Sequence, residues 1–147
     1  MTVKKSLITR ILIEGDQALL SRLCEAAEAA GEVEIVRQPE KSLVMTKARD
    51  SVSEQPFYLG EVLVTECTVS IRGAYGFGVL MGEDAERAYQ LAVVDAAYHA
   101  GLPLTADWEA LLVAEERNIR MRHRQEEVGV MRTQVQFDTT EEYYGKR

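Results

Sequence analysis

Two cysteines in 147 residues, with no CxxC spacing and no histidine near either, give neither a zinc site nor a redox pair anything to stand on. Cys24 falls on a helical face and Cys67 inside a strand pattern, the places of ordinary buried thiols. No apolar run approaches membrane-spanning length, and the amino-terminal stretch Leu7 to Leu12 is interrupted by Arg10, which removes a signal-peptide core. The expected setting is therefore the cytoplasm, with no membrane. Basic charge is also short. Seventeen Lys and Arg face 24 Asp and Glu, for a formal net charge of −7, and the middle third, residues 51–101, holds only two of the basic groups against seven acidic ones. Such a surface repels a phosphate backbone, so nucleic acid is not expected as a general partner. Nucleophile elbow, phosphate loop, metal-ligand cluster and Ser-His-Asp arrangement are all missing. His99 closes an apolar helix and His123 sits in a charged stretch, and the sequence shows a general-base partner for neither.

What is present reads as one domain over residues 1–147, since 46% hydrophobic residues at this length suffice for one sizeable core. Val3, Leu7, Ile8, Ile11 and Leu12 recur at helical spacing, and Gly15 breaks the run. Asp16 can cap a second helix whose Leu19, Leu20, Leu23, Cys24 and Ala27 form one face, with Gly31 placed to end it in a left-handed cap. Val33 and Ile35, then residues 43–48, read as two strands joined by a turn at Pro39.

The longest strand is expected over residues 58–71. Leu63, Cys67, Val69 and Ile71 share one face with Glu61 and Thr65, and Val62 and Val64 share the other with Glu66, Thr68 and Ser70. Gly73 supplies a turn into a strand over 75–81, where Gly76 and Gly78 strip one face of side chains. A packed helix, a sheet bend, or a ligand or partner chain on the bare strand would each use that space. The helix over 84–100 has acidic residues at its start, Gly101 at its end and Pro103 beyond. From Leu91 to Tyr98 it is apolar on every side except at Asp95. A buried carboxylate needs partners, either a bond that pins helix to sheet or a role in a site.

Residues 105–136 read as a helical arm. Trp108, Leu111 and Leu112 anchor it, but residues 115–127 offer only Ile119 and Met121 among polar groups, too little for the domain's own core. Arg117, Arg120 and Arg124 share one face, which suits phosphate contact or, with the neighbouring glutamates, an ion-paired solvated face or interface. Met131, Val135 and Phe137 restore apolar character, and residues 140–147 read as a loose tail. The whole is an α+β class: a mostly antiparallel sheet of about four strands with amino-terminal helices, one packed helix and a long carboxyl-terminal helical arm.

One segment carries a resemblance. The run from Gly60-Glu61 to Thr65-Glu66, the glycine-punctuated strand ending at Gly82, and Asp95 inside an apolar helix resemble the PhnG family, which supplies the G component of the bacterial carbon-phosphorus lyase core complex. Leu43-Val44-Met45 with Ala48-Arg49-Asp50, and Arg124 to Val128 leading to Val135 and Phe137, fit the same pattern, so the likeness covers roughly residues 40–140. The amino-terminal helices match in character alone. The resemblance implies a protein that acts with the H, I and L subunits of that complex to form α-D-ribose 1-methylphosphonate 5-triphosphate from ATP and methylphosphonate, releasing adenine, in organic phosphonate catabolism. The I subunit is the nucleosidase-like and most direct partner, and radical iron-sulfur chemistry belongs to the J subunit. No cofactor is expected on this chain, and ATP is a substrate of the complex. Glu61, Glu66 and Asp95 are the carboxylates that a shared site could use; the alternative is a non-enzymatic assembly or scaffold protein without substrate contact. Whether the isolated chain forms a homo-oligomer stays open.

Overall fold

The computed structural model describes residues 4–135, so Val3, Phe137 and the tail over 140–147 lie outside the described residues. Element order is α1 (Lys5–Glu14), α2 (Gln17–Ala30), β1 (Val33–Arg49), β2 (Pro56–Ile71), β3 (Ala74–Met81), α3 (Ala85–His99) and α4 (Thr105–Arg132). The strands form one antiparallel sheet in the order β1-β2-β3. The α+β class, the packed helix and the long last helix follow the sequence expectation.

Local chemistry sets the boundaries. Asp16 caps α2 by accepting from the Ala18 N–H at 3.0 Å. Arg72 and Gly73 both take positive φ, 51° and 79°, which lets a two-residue turn match the strand twist between β2 and β3. Helix α3 ends in a Schellman motif: Gly101 at φ 63° donates to the Tyr98 carbonyl and Leu102 to the Ala97 carbonyl. At its start, Asp84 accepts from the Arg87 N–H and donates its own N–H to the Thr65 hydroxyl, which in turn donates to the Gly82 carbonyl.

Two local expectations are corrected. Gly31 does not adopt a left-handed cap; its backbone is extended, φ −161°, and runs straight into β1. Pro39 does not break the chain into two strands. β1 continues through it, because β1 is the sheet edge and the register shifts on both sides of Arg37 leave Pro39 outside the paired positions. A proline at an edge bulge removes no ladder hydrogen bond.

Helix α3 lies directly on the bare glycines of β3. A Cβ at Gly76 would stand 2.1 Å from the Ala92 carbonyl oxygen, and one at Gly78 would stand 2.0 Å from that of Ala88. Ala88, Ala92 and Ala96, one turn apart, thus meet two missing side chains, and helix backbone approaches strand backbone. The bare strand is filled by a packed helix. Around α3, the buried Leu20, Leu23 and Ala27 of α2, Ile11 and Leu12 of α1, and Trp108 and Leu112 of α4 complete the core with Cys67, Val69 and Ile71 of β2. Trp108 meets Tyr98 edge to face, 5.5 Å between centroids.

The other sheet face carries Tyr75, Phe77, Val79 and Met81, all exposed. Beyond the end of β3, residues 43–49 and 56–63 pair only with each other and project as a two-stranded ribbon. Asp50 closes the ribbon tip: the Ser53 hydroxyl and the Val52 and Ser53 amides hold its carboxyl below the usual range.

Helix α4 is less independent than its sequence suggests. Ile119 is 2% exposed, Glu115 accepts from the Asp16 N–H at 2.9 Å, and Arg122 donates to the Glu14 carbonyl at 2.7 Å. The domain therefore does bury part of residues 115–127, because the α1–α2 junction supplies the missing surface. From Arg124 onward α4 is exposed on all sides.

Candidate functional site

Asp95 organises a concave site that holds several polar groups. Its helix packs on β3 at the edge of the sheet, so a side chain leaving α3 sideways reaches the outer backbone of β3. One Asp95 oxygen, Oδ2, accepts the Phe77 N–H at 2.9 Å, and Oδ1 pairs with Lys5 Nζ at 3.1 Å. His99, one turn further along α3, places Nδ1 2.6 Å from the Tyr75 carbonyl oxygen and Nε2 2.7 Å from Lys5 Nζ. A carbonyl only accepts and an ammonium only donates, so this geometry requires the neutral imidazole with its proton on Nδ1. In that form, the 3.7 Å separation of Nδ1 from Asp95 Oδ2 is proximity without an ion pair.

The expectation of a partnered carboxylate is met, with one difference. The Asp95 side chain is 15% exposed and looks into a cavity of about 610 Å³. The cavity lies between α1, α3, α4 and the edge of β3, with Leu12, Leu91, Val94 and Leu112 as apolar wall and Lys4, Thr9 and Glu109 among its polar groups. Its size falls in the usual range of ligand pockets. Lys5 is 59% exposed, so its ion pair with Asp95 adds at most about 1 kcal/mol; the charge-assisted bond to the Phe77 amide is worth more, about 1.5 to 3 kcal/mol. Asp95 therefore fastens α3 to β3 and, through Lys5, α1 to both.

The other sequence-derived candidates stand elsewhere. Glu61 is exposed on the ribbon. Glu66 lies on the open sheet face, where Arg37 Nη1 donates to it at 3.1 Å. The three carboxylates thus occupy three separate places, and no two of them form an acid–base pair. Arg117, Arg120 and Arg124 are exposed on α4 and none lines the Asp95 cavity. Arg120 is paired with Glu116, as the one-turn spacing suggests, and Arg117 borders a shallow depression with Ala110 and Val113. Among the described residues no group of three or more His, Cys, Asp or Glu could hold a metal ion. The cysteines are free and buried; burial, then Glu28 and Glu25, push the Cys24 thiol up to about 12, which keeps it protonated.

Sequence reading missed Lys5 and His99. His99 had a signal, its i,i+4 spacing from Asp95. Lys5 had none, because it reaches the site from 90 residues away along the chain.

The molecule is thus an α+β domain with helices packed on one sheet face and a long apolar ribbon left bare. No helix of the described residues is long and apolar enough to cross a membrane. The family described as phosphonate metabolism protein PhnG matches residues 4–141, and this chain belongs to it. A relative from Rhizobium meliloti (strain 1021), alpha-D-ribose 1-methylphosphonate 5-triphosphate synthase subunit PhnG, is 35% identical over 133 residues, covering 88% of this chain and 83% of that protein.

Proposed function

We propose that this chain is the PhnG component of a synthase that forms α-D-ribose 1-methylphosphonate 5-triphosphate from ATP and methylphosphonate with release of adenine, and that it contributes assembly rather than bond-making. The 35% identity to a component of that synthase carries the reading. The division of labour is supported by the separation of Glu61, Glu66 and Asp95 and by the exposed apolar ribbon, which includes Leu43, Met45, Tyr58 and Leu59. Apolar surface of this extent on a folded domain serves as contact surface. Its partners are the H, I, J and L subunits in the cytoplasm, the I subunit most directly. ATP enters as a substrate of the complex and this chain holds no cofactor.

A second reading is favoured by the cavity: Lys5, His99 and Asp95 line a pocket wide enough for a ligand, and they would contribute to a shared substrate site. Adenine release from ATP plus methylphosphonate, measured with the H, I and L subunits in the presence and absence of this chain, tests both. The assembly reading expects turnover only with the chain present, and Asp95→Asn to retain it. Turnover without the chain would end the proposal. Loss of turnover in an Asp95→Asn complex that still assembles would replace it by the second reading.

A further inference from the structure

The outer edge of β3 is half closed and half open. Gly76, Gly78, Leu80 and Gly82 face β2 in the ladder, as the Gly82 N–H bond to the Leu63 carbonyl shows, so the intervening residues direct their backbone groups outward. Two of those outward groups are already occupied: the Tyr75 carbonyl by His99 and the Phe77 N–H by Asp95. The next ones, the Phe77 carbonyl, both groups of Val79 and the Met81 N–H, have no hydrogen-bond partner among the described residues. Val79 thus offers N–H and carbonyl side by side, the arrangement that one residue of an antiparallel strand completes. Phe77 and Val79 also line the Asp95 cavity, whose opposite side is α1. A strand laid on this edge would run above Leu91 and Val94 of α3, and a side chain pointing down from it would enter the apolar part of the cavity.

We propose that an extended segment of another synthase component adds to the sheet as a fourth strand along β3 at Val79, with a large apolar side chain in the cavity and an acidic residue beside Lys4. This rests on the assembly reading above and names the contact. Unpaired edge backbone is matched by another backbone, which selects a polypeptide over a small molecule. The wall formed by Leu12, Leu91, Val94 and Leu112 selects an apolar side chain. Lys4, exposed at the cavity and without an ion pair among the described residues, selects the acidic neighbour. Asp95 and His99 set the end of the added strand, since they occupy the positions before it.

Amide hydrogen exchange on the full chain, free and in the reconstituted synthase, tests the contact directly. The Val79 and Met81 amides are expected to slow at least tenfold in the complex. Val79→Pro removes an outward N–H that the β2–β3 ladder does not use, and is expected to weaken assembly at least tenfold, whereas Val79→Thr assembles normally. Ala106→Trp, on the exposed α4 wall of the cavity, is expected to weaken assembly without involving β3, which covers the case in which Val79→Pro misfolds. A complex that forms and turns over while both amides exchange freely overturns this inference and leaves the assembly reading standing. Slowing of the same amides by ATP or methylphosphonate alone also overturns it. Failure of the chain to associate with any of the other components overturns both.

Discussion

The sheet has two ends built from similar residues with opposite fates. At the β3 end, Gly76 and Gly78 admit Ala88, Ala92 and Ala96 so closely that helix and strand share backbone contact, and almost every residue of α3 from Leu91 to Ala97 is buried. At the ribbon end, Leu43, Val44, Met45, Phe57, Tyr58 and Leu59 are as apolar as anything in the core, and Leu59 is 70% exposed. A two-stranded ribbon is marginal in water by itself. Hydrophobic content therefore does not decide what is core. Access to a complementary surface does, and the domain supplies one for the glycine face of β3 and none for the ribbon.

The largest effect should come from filling the packed end. Gly78→Val places a branched side chain where the Ala88 carbonyl stands, with backbone on both sides and nowhere to relax. We expect a loss of about 4 kcal/mol or more, or no soluble protein, read by chemical denaturation.

Next is the length of α4, which separates its packed part from its free part. Truncation after Leu112 removes the buried Ile119 and the bond from Glu115 to the Asp16 amide; about 2 to 4 kcal/mol should be lost. Truncation after Arg124 should leave stability unchanged within about 0.5 kcal/mol, because the described residues that go, 125–135, are all exposed. Equal stability of the two truncated chains would show that the α1–α2 junction does not hold α4.

Asp95 is intermediate. Asp95→Leu leaves the Phe77 amide without its acceptor and Lys5 without its counter-charge, at a cost of about 1 to 3 kcal/mol. Asp95→Asn retains an acceptor and should lose less. Identical melting for wild type and both variants would remove the fastening role.

The smallest effect on folding belongs to the ribbon. Met45→Ser and Leu59→Ser should shift stability by no more than about 0.5 kcal/mol while weakening assembly with the other subunits, measured by co-purification. If instead they destabilise as core substitutions do, the ribbon is part of the fold and the comparison with β3 collapses.

Much of the architecture was legible because its causes are local. Asp16, Asp84, the turn at Gly73 and the stop at Gly101 act within a few residues of themselves, and the alternation of Cys67, Val69 and Ile71 names a buried face directly. Pro39 and Gly31 misled for the same local reason: a proline reads as a break and a glycine after a helix as a left-handed cap, until the sheet order places Pro39 on an edge and feeds Gly31 into an extended strand. The site was legible in one residue. Asp95 stands out as a charge in an apolar helix, and the need for a partner follows from the cost of burying it.

Most of the elements, the caps at Asp16 and Gly101, the family resemblance and the need for Asp95 to be satisfied could be read along the chain. Tertiary structure alone decided by whom. The Phe77 amide is free for Asp95 because β3 is an edge strand, Lys5 arrives because α1 folds back over α3, and Ile119 is buried because the α1–α2 junction lies beneath α4. Local patterns follow from short-range sterics and hydrogen bonding along the chain, whereas these contacts join groups far apart in sequence, whose meeting depends on how all the layers pack at once.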